Sequence, residues 1–339
     1  MILVVGLSPA WQRTLQFEKL IPGKVNRAKR VRETASGKGV NVARVASILG
    51  AKIRLLTVAG GHRGELLENS LRVQGIGTRI IHVESETRIC QTLLALNTAT
   101  ELVEEAGPLS AAEVKKVMRA FAAEVQRADL VVLTGTVPKG CGNDFYARLV
   151  DVSRRHGVRV LIDAQAAQLR NALRRRPSLV RVNRDELMVA TRVGCNGKPG
   201  ILQALDKLMR DGPQWVVISD GAKSVYVGER PERPGKRILT LKPPHVQAKN
   251  AIGSGDAMMA GIATGLLRGR SMLHAVRLGI ACGAANAMTL EPGFVRLSDV
   301  RRLCWTRNKR VSIVQACSRE SLKRRVRLSK SARASVRRN

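Results

Sequence analysis

The chain has 339 residues, 44% of them hydrophobic but only 3% aromatic, so it can bury a large core of aliphatic side chains as a globular protein does. Its 59 Lys and Arg against 26 Asp and Glu give a formal charge of +33, which attracts anions without identifying one. The six cysteines form no Cys-x-x-Cys pair, which argues against a zinc site or a disulfide scaffold.

Apolar runs of strand length alternate with helix-like segments along the chain. Residues 1–7 lack the basic leader of a signal peptide and predict a buried first strand. Further buried strands are predicted at residues 53–58, 130–134, 158–162, 179–182 and 215–218. Helical spacing of apolar residues occurs at residues 40–49, 65–74, 110–126, 143–155 and 201–210. The alternation predicts an α/β fold of three layers, in which helices cover both faces of a mostly parallel central sheet.

Two segments, residues 12–33 and 80–106, break this alternation of strands and helices. Their polar and apolar residues alternate, which is typical of small antiparallel strands with one solvated face, so we expect a small β-sheet lid over the edge of the main sheet. No apolar run approaches the roughly 20 residues that span a bilayer, so we expect a cytoplasmic protein without a membrane contact.

After residue 303 the apolar pattern decays. Residues 303–339 contain 12 basic residues and one acidic residue, which predicts a basic, disordered tail at residues 304–339. Residues 1–303 would then form the folded domain.

The stretch Asn250-Ala-Ile-Gly-Ser-Gly-Asp256 is the most informative local motif. The backbone N–H groups of Gly253, Ser254 and Gly255 precede a helix-like run of small residues, and unpaired amides at a helix N-terminus attract a phosphate-like anion. Beside that anion, Asp256 would take the proton of an attacking hydroxyl during phosphoryl transfer. The alternative is that Asp256 only caps the helix and the glycines only turn the chain.

An earlier glycine motif, Ser36-Gly-Lys-Gly-Val-Asn41, stands at a characteristic separation from this one. The pair resembles the motifs of the ribokinase-like (PfkB) carbohydrate kinases, and within them the 1-phosphofructokinase and tagatose-6-phosphate kinase branch. Further segments resemble that branch at residues 23–28, 86–88, 134–138, 183–186, 219–221 and 279–286. The resemblance extends to about residue 303 and implies a ribokinase-like fold, with ATP and Mg²⁺ as cofactors and a small-molecule sugar phosphate as substrate.

The resemblance also implies roles for single residues. The sugar would contact Gln12, Gly37, Gly39 and Asn41, and its phosphate would meet Arg27 and Arg88. ATP would contact Asn183, Ser219, Gly221 and Asn286, while Glu186 would act on magnesium through water. From the residues alone, helix capping is the alternative for Asn183 and Glu186, and an ordinary strand-to-helix turn for Gly37 and Gly39. Lys38 is expected to be structural or on the surface.

The departures from the family pattern lie mainly in sugar recognition. Gln12 stands where an aspartate is usual, Cys90 and Thr92 stand where Asn and Lys are favoured, and Arg181 replaces a lysine. The expected reaction is the phosphorylation of fructose 1-phosphate to fructose 1,6-bisphosphate, with tagatose 6-phosphate or another sugar as the alternative acceptor.

An alternative from another class is a non-catalytic descendant that binds an anionic partner such as RNA through its basic surface. Nucleic acid is disfavoured as a partner because the scattered arginines have no aromatic residues between them for base stacking. The family resemblance further implies a homodimer formed through the lid.

Overall fold

A computed structural model describes residues 1–96, 98–230, 236–305 and 312–316. Its strands are β1 (Ile2–Val5), β2 (Ala10–Phe17), β3 (Arg30–Ser36), β4 (Ile53–Ala59), β5 (Thr78–His82), β6 (Arg88–Ala95), β7 (Thr98–Val103), β8 (Leu130–Thr134), β9 (Arg159–Asp163), β10 (Leu179–Asn183), β11 (Trp215–Asp220), β12 (Ser224–Glu229), β13 (Lys236–Leu241) and β14 (Ser312–Ala316). Its helices are α1 (Lys38–Ile48), α2 (Gly61–Val73), α3 (Ala111–Val125), α4 (Phe145–Arg155), α5 (Ala166–Leu173), α6 (Arg184–Thr191), α7 (Gly197–Arg210), α8 (Ser254–Leu267), α9 (Met272–Ala287) and α10 (Leu297–Trp305).

The main sheet confirms the predicted α/β fold. Its order is β14-β13-β12-β11-β10-β9-β8-β1-β4-β5, and the strands from β11 to β5 are parallel to one another. The strands β12, β13 and β14 continue it as antiparallel ribbons on one side. Each strand predicted from an apolar run is present in this sheet, with ends that match the prediction or differ from it by up to a few residues.

Helices cover both faces of this sheet, which explains why its central strands are continuous apolar runs. Along β1 the side chains alternate between two apolar clusters, with Ile2 and Val4 on one face and Leu3 and Val5 on the other. The first cluster includes residues of α1, α8 and α9, and the second includes residues of α3, α4 and α7. The core therefore lies in two layers, one on each side of the sheet.

The predicted lid is a separate sheet of four strands in the order β3-β2-β6-β7. Two details of the prediction were wrong. Residues 80–82 belong to β5 in the main sheet, and β2 pairs with β6 in parallel rather than antiparallel. The parallel pairing has a simple cause, since β2 follows β1 and β6 follows β5, and these two main-sheet strands run in the same direction.

The predicted tail begins too early. The helix α10 extends to Trp305, and residues 312–316 form β14, which pairs antiparallel with β13. An otherwise open strand edge offers backbone donors and acceptors to any segment that can reach it, and β14 uses the edge of β13. The remainder of the predicted tail, residues 306–311 and 317–339, lies outside the described residues. Among the described helices, none has the length and hydropathy needed to cross a bilayer.

Candidate active site

A cleft of about 870 Å³ lies between the lid and the carboxyl ends of the parallel strands. One wall is formed by residues at the ends of β1, β8, β10 and β11, including Gly6, Thr134, Asn183 and Ser219. The start of α8 and the inner face of the lid form the other walls. Open α/β sheets bind ligands at this edge, because the loops that follow parallel strands converge there.

The helix α8 begins at the cleft with an exposed set of amides. Its N-cap, Gly253, has φ 80°, a conformation that favours glycine, and makes no side-chain cap hydrogen bond. The Ser254 N–H donates to the carbonyl oxygen of Ala251 at 3.2 Å. Within the described residues the N–H groups of Gly253 and Gly255 have no backbone acceptor. Two of the three predicted amides are therefore available to an anion, and we call residues 253–255 the anion loop.

Asp256 lies in the first turn of α8 and is 6% exposed. Its Oδ2 accepts a hydrogen bond of 2.8 Å from Nδ2 of Asn41, on α1. Burial and the charge of Asp163 raise the pKa of Asp256, while Lys38, Asn41 and Arg181 lower it, and together they leave this pKa at about 7. A carboxyl group whose pKa lies near neutrality can exchange a proton at working pH, as a general base must.

Lys38 is part of this site, contrary to the expectation that it is structural or on the surface. Its Nζ lies 2.9 Å from Oδ1 of Asp163 and 3.3 Å from Oε1 of Glu186, and the side chain lines the cleft. Burial disfavours its charge, but the carboxylates of Asp163, Glu186 and Asp256 outweigh burial and raise the pKa of Lys38. The site therefore contains a lysine cation that lines the same cleft as the anion loop.

Sequence reasoning missed Asp163, which organises the two cations of the site. This wholly buried residue ends β9 and accepts hydrogen bonds from Lys38 and from Nη1 of Arg181, each at 2.9 Å. Although burial opposes its charge, Lys38 and Arg181 hold the pKa of Asp163 below its ordinary value. A carboxylate at the carboxyl end of a predicted parallel strand was the available signal.

Asn183 and Glu186 form a complete capping box at the start of α6. The Asn183 side chain accepts from the Glu186 N–H, and Oε2 of Glu186 accepts from the Asn183 N–H, each at 2.8 Å. The other carboxylate oxygen, Oε1, accepts from Nε2 of Gln165 at 2.7 Å and also contacts Lys38. Glu186 can therefore cap α6 and also take part in the cleft, because Oε2 makes the capping hydrogen bond and Oε1 makes the contacts at the cleft.

The same residues fit a magnesium ion held mainly by water and nucleotide phosphates. In the described ranges no three His, Cys, Asp or Glu side chains gather as a metal cluster. Magnesium commonly keeps several waters and uses only one or two carboxylates. Oε1 of Glu186, which borders the cleft, is suited to hold such a hydrated ion.

The residues expected to contact ATP are placed differently from one another. Gly221 and Ser219 line the cleft, and Oγ of Ser219 accepts from Nη2 of Arg181 at 2.7 Å. Asn286 is fully buried behind the anion loop instead, so a direct contact with ATP is not part of this arrangement. Its amide donates to Ile252 O at 2.8 Å and accepts from the Gly293 N–H at 2.8 Å, which fixes the loop from behind.

At the lid end, Gln12, Gly37, Gly39, Asn41 and Arg88 line the cleft as expected. Gly37 is the N-cap of α1 with φ 100°, and a Cβ there would lie 2.9 Å from Ser8 O. This position therefore requires a glycine on steric grounds.

The two arginines of the expected phosphate clamp are not both present in the cleft. Arg27 is exposed in the loop between β2 and β3 and does not line the cleft. The guanidinium of Arg88 donates to the carbonyl oxygens of Ser8 at 3.0 Å and Glu104 at 2.9 Å. Nε2 of Gln12 donates to Oγ1 of Thr92 at 3.0 Å. The glutamine and threonine that depart from the family pattern thus satisfy each other.

Comparison with known proteins shows the family of this chain and agrees with its fold. Residues 1–294 match the family described as pfkB family carbohydrate kinase. A solved structure described as a possible 1-phosphofructokinase from Thermotoga maritima is 22% identical, with a TM-score of 0.82 over 94% of this chain and 100% of that chain. Phosphofructokinase-2 from Escherichia coli, solved with substrates and products, is 21% identical, with a TM-score of 0.81 over 91% of this chain and 99% of that chain.

Ribokinase from Arabidopsis thaliana, solved with ribose and ATP, is 19% identical, with a TM-score of 0.69 over 90% of this chain and 98% of that chain. These three likenesses agree with the fold described above. The family match covers most of the chain, including the glycine motif of α1 and the anion loop. The chain therefore belongs to the pfkB family of carbohydrate kinases.

Proposed function

We propose that this protein transfers the γ-phosphoryl group of ATP to a hydroxyl of a sugar, with Asp256 as the general base. The observation that carries the proposal is the burial of Asp256 beside the free amides of the anion loop, with its carboxylate held by Asn41. A base and an anion site in contact are what in-line phosphoryl transfer requires.

Each residue of the site has a part in this reaction. Asp256 accepts the proton of the attacking hydroxyl, while Asn41 keeps the carboxylate oriented. The N–H groups of Gly253 and Gly255 donate to the oxygens of the transferring group, and Lys38 supplies positive charge beside them. Magnesium, held through water by Glu186, would neutralise charge on the ATP phosphates. The lid limits the access of water, which suppresses hydrolysis of ATP.

The first acceptor class is a phosphorylated ketohexose. Fructose 1-phosphate is the leading candidate and tagatose 6-phosphate the second, and support comes from the motifs shared with that branch of the family. Arg88 borders the cleft at the lid end, where it would lie near a substrate phosphate. The Escherichia coli phosphofructokinase-2 was also solved with fructose-6-phosphate, so this sugar phosphate belongs in the same test.

The second acceptor class is a sugar without a phosphate. Glu101 and Glu105 line the cleft at the lid end, and Arg27 does not. Like charges placed together weaken binding, so two carboxylates disfavour a phosphorylated sugar there. This observation favours a neutral acceptor, and the departures at Gln12 and Thr92 are in accord with it.

An ADP-release assay with MgATP tests the proposal. The acceptors would be fructose 1-phosphate, tagatose 6-phosphate, fructose 6-phosphate, fructose and ribose, each with Asp256→Asn as the matched inactive control. Turnover that depends on one acceptor and on Asp256 supports the reaction and identifies the acceptor class. Equal rates for the two proteins on every acceptor would contradict the role of Asp256.

We also propose the outer face of the lid as a homodimer surface. Leu102 of β7 and Val31 of β3 are half exposed, and the strand register puts both on the face opposite Gln12. The inhibited form of Escherichia coli phosphofructokinase-2 was solved as a tetramer, so a protein of similar fold forms oligomers. Light scattering of wild type and Leu102→Glu tests this surface, since a charge in an apolar interface should shift the mass to that of a monomer. An unchanged mass would contradict the assignment.

A further inference from the structure

Arg181 is a buried charge in the middle of an otherwise apolar strand. It occupies the third position of β10, is 6% exposed, and pairs in register with Val217 of β11. Its two neighbours in the strand, Val180 and Val182, are fully buried. A full charge in such a position is costly unless its partners are close and well oriented, so its contacts indicate why it is there.

The guanidinium of Arg181 is fixed from both adjacent strands. Nη1 donates to Oδ2 of Asp163 at the end of β9, at 2.9 Å, and Nη2 donates to Oγ of Ser219 on β11, at 2.7 Å. The third donor, Nε, is buried, and it has no acceptor in the described part of the chain. Two strong bonds on the terminal nitrogens therefore set the plane of the group.

The anion loop lies directly on this guanidinium. A Cβ added to Gly255 would lie 2.5 Å from Nη1 and 2.6 Å from Nη2 of Arg181, closer than any side chain could approach. A side chain at position 255 would have to displace a guanidinium that two hydrogen bonds hold in place, so glycine is favoured there on steric grounds. The same contact gives residue 181 a route by which its shape would affect the position of the Gly255 amide.

We propose that Arg181 is a positioning residue for phosphoryl transfer: it supports the anion loop through Gly255 and places a fixed positive charge behind the loop. This proposal rests on the proposed function of the loop and of Asp256. A planar guanidinium held by Asp163 and Ser219 can serve as a flat support, whereas an ammonium group cannot occupy both bonding positions at once.

The charge of Arg181 also acts on Asp256, together with every charged group near it. Lys38 and Arg181 favour the ionised form of Asp256, Asp163 disfavours it, and Asn41 hydrogen-bonds to it. Glu186 acts on both cations rather than on Asp256 itself. Loss of the Arg181 charge should make Asp256 harder to ionise, so the acid limb of the pH–rate profile should move to higher pH.

The test compares Arg181→Met, Arg181→Lys and the control Arg54→Met in the full-length chain. Arg54 lies on β4 near Glu124, and it borders neither the cleft nor the anion loop. We measure kcat, KM for MgATP, the pH–rate profile and thermal unfolding. Arg181→Met should lower kcat at least tenfold and move the acid limb upward, whereas Arg54→Met should change neither.

Arg181→Lys separates support of the loop from charge. It keeps a cation beside Asp163, so the acid limb should stay near that of the wild type while kcat still falls severalfold. A merely structural residue would lower the melting temperature without moving the acid limb in either variant. If Arg181→Met does not fold, the lysine variant still decides, because unchanged kcat in it would overturn the support role.

A binding measurement distinguishes failure of this proposal from failure of the proposed function. Calorimetric titration with MgATP needs no acceptor, and a displaced anion loop should weaken binding about tenfold in Arg181→Met. If the wild type turns over no acceptor while this loss of affinity is seen, the proposed function fails and the positioning role stands. Unchanged affinity together with an unchanged acid limb in folded variants would overturn the role of Arg181.

Discussion

At the scale of single residues, the burial of Asp256 affects both the reaction that this carboxyl group can perform and the stability of the folded chain. The carboxyl group is buried at the start of α8 and accepts one hydrogen bond from the described residues, donated by Nδ2 of Asn41. Burial raises the pKa of Asp256 to about 7, so the group ionises near neutral pH rather than near pH 4. The proton affinity that suits a base also makes the ionised group unfavourable inside the folded chain.

The activity should follow this ionisation. With wild-type protein, kcat/KM should fall as the pH decreases through about 7, because the base must be deprotonated to accept the hydroxyl proton. Asp256→Asn should lower kcat by about 10² to 10⁴ and leave the affinity for MgATP close to that of wild type. Initial rates from pH 5.5 to 9 and equilibrium binding of MgATP measure both. Retention of near-normal kcat in the variant would contradict the assignment of the base.

The stability should depend on pH in the opposite sense. Because the pKa of Asp256 is higher in the folded chain than in the unfolded chain, its contribution to stability is fully present below the unfolded value and is lost as the pH rises through about 7. Asp256→Asn removes this loss, so the variant should melt above the wild type at pH 8 and close to it at about pH 4, near the unfolded pKa. Thermal unfolding without ligand measures the difference. Asp144→Asn, at an exposed carboxylate, is the control, and an equal shift at both pH values would contradict the prediction.

The part of the candidate site that could be predicted from sequence is the part whose residues are consecutive in the chain. The glycines of the anion loop and Asp256 stand in one short stretch, so their proximity follows from the sequence. Lys38 and Asp163 are 125 positions apart, and only the folded sheet, which places the start of α1 and the end of β9 at the same cleft, brings them together. The structure does not place Arg27 in the cleft, where the sequence motif predicted it. Local sequence does not decide whether a loop folds over a cleft or away from it.

At the scale of elements, two helices begin with the same device in different surroundings. Ser110 and Glu113 form a capping box on α3, as their spacing predicts, and Asn183 and Glu186 form one on α6. The box on α3 lies outside the cleft, whereas the box on α6 borders it. Substitutions in these two helices can therefore separate an effect on stability from an effect on binding in the cleft.

Each cap should contribute similarly to stability. Ser110→Ala and Asn183→Ala should each lower the free energy of unfolding by about 1 kcal/mol, because each leaves one helix N–H without its acceptor. Only Asn183→Ala should also raise KM for MgATP, because the Glu186 N–H would lose its acceptor, Oδ1 of Asn183, and Glu186 borders the cleft. Urea denaturation and steady-state kinetics measure the two effects. A higher KM in Ser110→Ala would show that the change acts through general stability.

The elements themselves were largely predictable because apolar runs buried on both faces leave few alternatives to a strand in a parallel sheet. The lid was harder. Its strands alternate like antiparallel ribbons, yet the direction of β2 relative to β6 depends on β1 and β5, which are remote in sequence. The strand β14 was missed because its pairing needs the edge of β13, which no local pattern of residues 312–316 reveals.

At the scale of the whole molecule, a group of exposed arginines lies at the edge of the main sheet opposite the cleft. The cleft uses the carboxyl ends of the parallel strands. Near the amino ends of β9 and β10, Arg155, Arg159 and Arg174 are exposed, and no ion pair with a described residue holds them. Their field can attract a polyanion without obstructing the cleft.

Binding to a polyanion should therefore be separable from catalysis. Substitution of Arg155, Arg159 and Arg174 by Gln should lower the salt concentration of elution from heparin and leave kcat unchanged. The control removes three arginines that are paired with aspartates, namely Arg148, Arg210 and Arg302, and should shift elution less. An equal shift in the two triple variants would show that net charge alone governs retention.

Two of the helices that begin at the cleft, α1 and α8, differ from α3 and α6 in how they start. The N-caps of α1 and α8 are Gly37 and Gly253, and neither has a side chain to accept from the first N–H groups. On the proposed function, a phosphate at α8 and sugar hydroxyls at α1 would bring the acceptors that the chain itself omits at these two ends. Substrate would then complete secondary structure that the free protein leaves unfinished, and each occupied site would add RT ln(1 + [L]/Kd) to the stability of the fold. Ligands of this kinase would then act as the missing caps of two helices.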